Sequence, residues 1–125
     1  TDIVAGVGDV ISSITDGTVY KVATGNTGFG NYVVIQDLNG NLHTYAHASD
    51  VSFLTQGQPV AAGDKIMLAG KSGTTNAAHL HYEVKSSNGR SLSSVAFLGN
   101  TWITKEEANS PGANRHIPYK AGAGK

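Results

Sequence analysis

At 125 residues the chain is long enough for one domain with a substantial core, and its 39% apolar content is ordinary for a folded protein. Nine Lys plus Arg balance nine Asp plus Glu, which removes any general electrostatic pull toward nucleic acid or an anionic membrane. There is no cysteine, so disulfides and thiolate metal sites are excluded, and no apolar run reaches membrane-spanning length.

In chain order, the sequence opens on Thr1 without a signal-peptide pattern and reads as a processed or excised part of a longer protein. Residues 10–14 form a first apolar run. The turn Asp16-Gly17 precedes an alternating segment at 18–23 (TVYKVA), and residues 32–38 (YVVIQDL) are rich in β-branched and aromatic side chains. Asn39-Gly40 is a two-residue hairpin signal, and residues 42–47 (LHTYAH) return as its partner strand. Further strands are predicted at 66–69 and 80–84. Sixteen glycines suit tight turns between short strands. Helical periodicity is absent apart from a short turn at 105–108. The expected fold class is mostly β, an antiparallel sandwich or partly open barrel. From about Gly99 the chain turns rich in Ala, Gly, Asn and Pro. Trp102, Ile103, Ile117 and Tyr119 are expected to pin this tail to the body, with residues 120–125 as a flexible end.

Four of the five histidines come in two pairs. His79 and His81 are two apart, so both leave the same face of one strand while Leu80 and Tyr82 face the other way. Glu83 continues the histidine face and is placed to orient a ring by accepting its second N–H. His43 and His47 are four apart, which also predicts one shared face, with Tyr45 between them. A metal needs a further ligand, and Asp2 is a candidate carboxylate.

Taken together and in order, these motifs resemble the lysostaphin and LytM-type zinc metallopeptidases, over residues 2–98. Thr1-Asp2-Ile3 resembles the end of a His-x-x-x-Asp metal motif. Gly28-Phe29-Gly30-Asn31-Tyr32 resembles the family's glycine-rich turn and central strand. Thr44-Tyr45-Ala46-His47 is similar to its Tyr-x-His strand, Gly70-Lys71-Ser72-Gly73 to the loop that follows, and His79-Leu80-His81-Tyr82-Glu83 to its His-x-His strand. Ala77 and Ala78 depart from the usual Gly-Pro-like pair before His79.

The resemblance implies the family's compact antiparallel sheet (a duplicated hybrid motif), with a peptidase domain at residues 1–98 and an extension at 99–125. It implies Zn2+ held by Asp2 and His81, with a third ligand upstream of Thr1. His47 and His79 become the catalytic histidines, and Tyr45 lines the substrate groove. His79 is the candidate general base and His47 the group that steadies the oxyanion or protonates the leaving amine, with the reverse division also open. His43 and His116 are read as structural or surface residues. The implied substrate is a peptide of bacterial peptidoglycan, cut by a secreted wall hydrolase or a phage tail or virion lysin, fused to or assembled with other domains. An inactive relative that binds and activates another wall hydrolase is the alternative. A biotin- or lipoyl-type carrier is disfavoured, because Lys65-Ile66-Met67 is a poor match to a modified-lysine hairpin.

Overall fold

The computed structural model describes residues 2–98 and 116–117. It contains ten short strands: β1 Asp2–Val4, β2 Val10–Ser12, β3 Gly17–Ala23, β4 Asn31–Asp37, β5 Leu42–Asp50, β6 Pro59–Val60, β7 Lys65–Ala69, β8 His79–Lys85, β9 Ser91–Leu92 and β10 His116–Ile117. A single helical turn, α1 Ser94–Leu98, follows β9. The expected turn at 105–108, and Trp102, Ile103 and Tyr119, lie outside the described residues.

All strands belong to one sheet. Its main path runs β10-β2-β7-β5-β4-β3-β6, and a branch of β1, β8 and β9 joins through β5. The ladders are antiparallel except β10 on β2, which is parallel. The sheet remains open, in agreement with the expected mostly β, antiparallel class. One apolar cluster fills its interior, with Ile11, Val19, Val33, Ile35, Ile66, Met67, Leu80 and Tyr82 all essentially inaccessible. These residues come from five different strands, so the core forms only when the sheet folds back over itself.

The β4–β5 hairpin forms where Asn39-Gly40 predicted it, but with a different turn. Asp37 and Asn41 close a three-residue loop, with the Asp37 N–H donating to the Asn41 carbonyl at 2.9 Å and Gly40 at φ 86°. The Asp37 carboxylate accepts from the N–H groups of Asn39 and Asn41, both at 2.9 Å. That side-chain-to-backbone bonding stabilises the longer turn over the two-residue one.

β5 is the element that builds the site, because it forks. Residues 42–46 pair with β8, residues 48–50 pair with β7, and His47 lies between. On the other side, Asn31 faces Ala48 but Val33 faces Tyr45, so β5 carries one extra residue here, a β-bulge. His47 absorbs it at φ 64° and is the one non-glycine residue with positive φ among those described.

Candidate functional site

The bulge decides where His47 points. Strand alternation would put it on the same face as His43 and Tyr45, as the spacing predicted. The positive φ turns it over instead. His43 and Tyr45 face inward opposite Val84 and Tyr82. The His47 ring comes out on the opposite face, centroid 4.9 Å from His79 and 6.1 Å from His81. The expected shared face of His43 and His47 is therefore corrected, and the cause is one inserted residue.

Tyr45 is corrected for the same reason in reverse. It keeps regular alternation, is fully buried, packs on the Tyr82 ring at 5.1 Å and accepts from the Ile14 N–H at 3.1 Å. It is a core residue and does not line a groove. His43 is also fully buried. Its Nε2–H donates to Asp37 at 2.9 Å, and its Nδ1 accepts from the Tyr82 hydroxyl at 2.7 Å. Burial pushes the His43 pKa down against the opposing pull of Asp37.

β8 alternates as expected: Leu80, Tyr82 and Val84 are buried, and His79, His81 and Glu83 are partly open. β1 pairs with β8 so that Asp2 faces His81 directly. Asp2 Oδ1 lies 2.9 Å from His81 Nδ1 and 3.4 Å from His79 Nε2. The hydrogen bond from His81 holds the Asp2 carboxyl below its ordinary range. On its other side His81 Nε2 lies 2.9 Å from Glu83 Oε1, the contact that the sequence spacing anticipated.

Carbonyl oxygens can only accept, and this settles two tautomers. His47 Nδ1 is 2.7 Å from the Ser72 carbonyl, and His79 Nδ1 is 3.0 Å from the Ala77 carbonyl. Both Nδ1 atoms therefore carry the proton, and in the neutral ring each Nε2 keeps a lone pair. Burial lowers the His47 pKa, which favours that neutral form. His79 Nε2 faces the Asp2 carboxylate at 3.4 Å, and His81 has a carboxylate at each nitrogen, so a neutral His81 ring always leaves one lone pair pointing at an anion. A cation removes this mismatch, and the exposed Asp2 end is where one can enter. One carboxylate and one imidazole oriented by a second carboxylate form a donor set that suits zinc. Among the described residues these two ligands are not joined by a third to complete a metal-binding group.

Two contacts around the histidines were not foreseen. The Phe29 ring stacks on His81 at 5.7 Å, and the Phe29 carbonyl accepts the His47 N–H at 2.9 Å. The loop at 28–30 meets the loop at 72–74 closely: the Gly28 N–H donates to Thr74 Oγ1 at 2.9 Å, and the Thr74 N–H returns to the Gly28 carbonyl at 2.9 Å. Gly-x-Gly at 28–30 was a visible turn signal, but its partner loop was not.

The model of peptidase family M23 matches residues 1–94. The chain belongs to this family. Among curated M23 relatives, the murein hydrolase activator NlpD of Escherichia coli is 32% identical over 97 residues, covering 78% of this chain and 25% of that protein. The peptidoglycan DD-endopeptidase ShyA of Vibrio cholerae is 39% identical over 85 residues, covering 67% of this chain and 19% of that protein. The chain thus spans a quarter or less of these relatives. The catalytic domain of the antimicrobial peptidase lysostaphin from Staphylococcus simulans superimposes with TM-score 0.70 at 25% identity, covering 78% of this chain and 75% of the other. The M23 fold expected from the motifs is therefore the fold observed. The match also gives a frame for the β5 fork: it brings His47 to the face where β1 and β8 hold Asp2, His79 and His81 together.

Proposed function

We propose that this M23 domain hydrolyses peptide cross-links of bacterial peptidoglycan with zinc as cofactor. The observation that carries the reading is the pair His47 and His79, each tied at Nδ1 to a backbone carbonyl, with His79 Nε2 turned toward Asp2 at 3.4 Å, beside the Asp2–His81 pair. Asp2 and His81 would hold the metal, with the third ligand a histidine outside residues 1–125, as the family motif implies. When bound, zinc supplies Lewis acidity that polarises the scissile carbonyl and acidifies water.

The chain's own residues then move the protons. His79 Nε2 takes a proton from the attacking water, and the Ala77 carbonyl holds the ring in the tautomer that permits it. His47, steadied by Ser72, delivers a proton to the leaving amine or bonds the developing oxyanion once it carries one. The equivalent anchoring of the two rings makes the reverse division equally compatible with the geometry. Glu83 keeps His81 oriented. ShyA and lysostaphin support a peptidase reading by their names. We place the protein in the cell envelope as part of a wall hydrolase, or in a phage tail or virion lysin, with residues 99–125 as an extension to the 1–98 peptidase unit.

The similarity to NlpD favours a second reading, a non-hydrolytic activator of another wall hydrolase. Incubating the zinc-supplemented protein with cross-linked muropeptides, followed by mass spectrometry, separates the two. Peptide-bond cleavage, reduced by about 10²-fold or more in His79→Ala, supports the peptidase. Absence of cleavage together with stimulation of a second hydrolase supports the activator. Full activity in His79→Ala would remove the base assignment.

A further inference from the structure

The sheet face that carries His79, His81 and Glu83 continues well beyond the histidines. Directly opposed residues in neighbouring strands share a face. Glu83 pairs with Thr44, Thr44 with Val34, and Val34 with Lys21. One row of side chains therefore crosses four strands, from β8 to β3, over about 14 Å at the usual spacing between strands. Thr44 and Val34 form its low, nearly buried floor. Phe29 and Tyr32 flank it, with ring centroids 5.3 Å apart, and Lys21 Nζ lies 5.4 Å from the Tyr32 centroid.

At its β3 end this face opens into a shallow groove of about 630 Å³ lined by Thr18, Tyr20, Lys21, Gln36 and Gln56. The register of β3 shifts between Val19 and Lys21, and the extra residue is Tyr20. Tyr20 is 49% exposed, and the extra position keeps Lys21 on the open side as well, while neighbouring Val19 is in the core. Among the described residues no hydrogen bond engages the side-chain amides of Gln36 or Gln56.

We propose that this groove binds the glycan strand of the wall polymer, a neutral N-acetylated sugar chain, while the attached peptide runs along the row toward His79. The proposal rests on the peptidase reading for its substrate and adds a second site to it. An exposed tyrosine face suits the flat C–H face of a pyranose ring. Amides and a hydroxyl both donate and accept, as ring hydroxyls and acetamido groups require. Among the described residues no carboxylate lines the groove, and the cation there, Lys21, is set against Tyr32. Recognition of a peptide main chain would need an open strand edge, but the edge of β3 is already bonded: the Val19 N–H donates to the Gln58 carbonyl at 2.8 Å, and the Gly57 N–H donates to the Val19 carbonyl at 2.8 Å. The length also fits, since an extended peptide of about four residues spans roughly 14 Å.

The test is an NMR titration of the isotope-labelled 125-residue chain with tri-N-acetylglucosamine, which needs neither metal nor turnover. Shifts are expected to cluster at residues 18–21, 36 and 56–57. Tyr20→Ala, at a half-exposed bulge position, should weaken binding by at least about tenfold with the rest of the spectrum unchanged, and His79→Ala should bind as the parent does. Absence of shifts at millimolar sugar, equal binding by Tyr20→Ala, or shifts at these residues with a sugar-free stem peptide in place of the sugar would each overturn the proposal. Sugar binding without muropeptide cleavage would uphold this site and count against the peptidase reading. Cleavage without sugar shifts would do the reverse.

Discussion

At the residue scale, His47 holds an unfavourable backbone conformation so that its ring can reach His79. A positive φ costs a non-glycine residue about 1–2 kcal/mol, and more for a β-branched one. His47→Gly should therefore be more stable than His47→Val by about 2 kcal/mol in urea unfolding, although both lose the bond to Ser72 and both should lose hydrolysis. Equal stability of the two would mean that the strain is not real. Glu83 makes a separate prediction. Glu83→Gln keeps the shape but weakens the acceptor that orients His81, so zinc affinity should fall by about 10–100-fold in chelator competition while the fold is unaffected.

At the element scale, two loops brace the bulge. Gly30, at φ 66°, packs so closely on the 72–73 loop that a Cβ would lie 2.4 Å from the Ser72 carbonyl carbon and 2.5 Å from the Gly73 nitrogen. These backbone atoms cannot swing away as a flexible side chain could. The Ser72 carbonyl is the one that fixes His47, and the Ser72 hydroxyl donates to Ala48 and accepts from the Asn31 N–H at 3.0 Å. Gly30→Ala should cost more than about 1 kcal/mol in unfolding experiments and also lower kcat, because it moves the carbonyl that selects the His47 tautomer. Stability loss with unchanged kcat would show that the brace is purely structural.

At the scale of the whole molecule, acid stability should be governed partly by the buried Asp37–His43–Tyr82 chain, which ties the β4–β5 turn to β8. The folded pKa of His43 lies below its ordinary 6.5, so the unfolded chain binds that proton first. Its contribution to stability is present above about pH 6.5 and is lost as the pH falls toward the folded value. Asp37 is also depressed below its ordinary 3.8, a net result of the His43 and turn N–H bonds prevailing over burial. Its contribution is present above that value and lost at lower pH, as the pH falls through the folded one. Thermal midpoints should accordingly drop between pH 7 and 5, and the drop should be smaller in His43→Gln, which cannot titrate. A pH profile unchanged by that substitution would assign the acid sensitivity elsewhere.

Much of the architecture was legible in the chain itself, because period-two burial is a local property. The alternation of His79, His81 and Glu83 against Leu80, Tyr82 and Val84 follows from strand geometry alone, and the contact between His81 and Glu83 came with it. The ordered Gly, Tyr-x-His and His-x-His motifs were enough to indicate the M23 family. The turn at 38–40, the short strands β1, β6, β9 and β10, and the sides taken by His47 and Tyr45 were not legible in this way. A single bulge reverses the direction of every side chain that would otherwise follow the alternation, and a bulge is decided by which strands flank β5. Two different partners, β7 and β8, compete for one side of β5, and the residue at their junction has to turn. Local sequence thus singled out the residues proposed to carry the chemistry. Pairing between distant strands decided that His47 stands beside His79 and that Tyr45 belongs to the core.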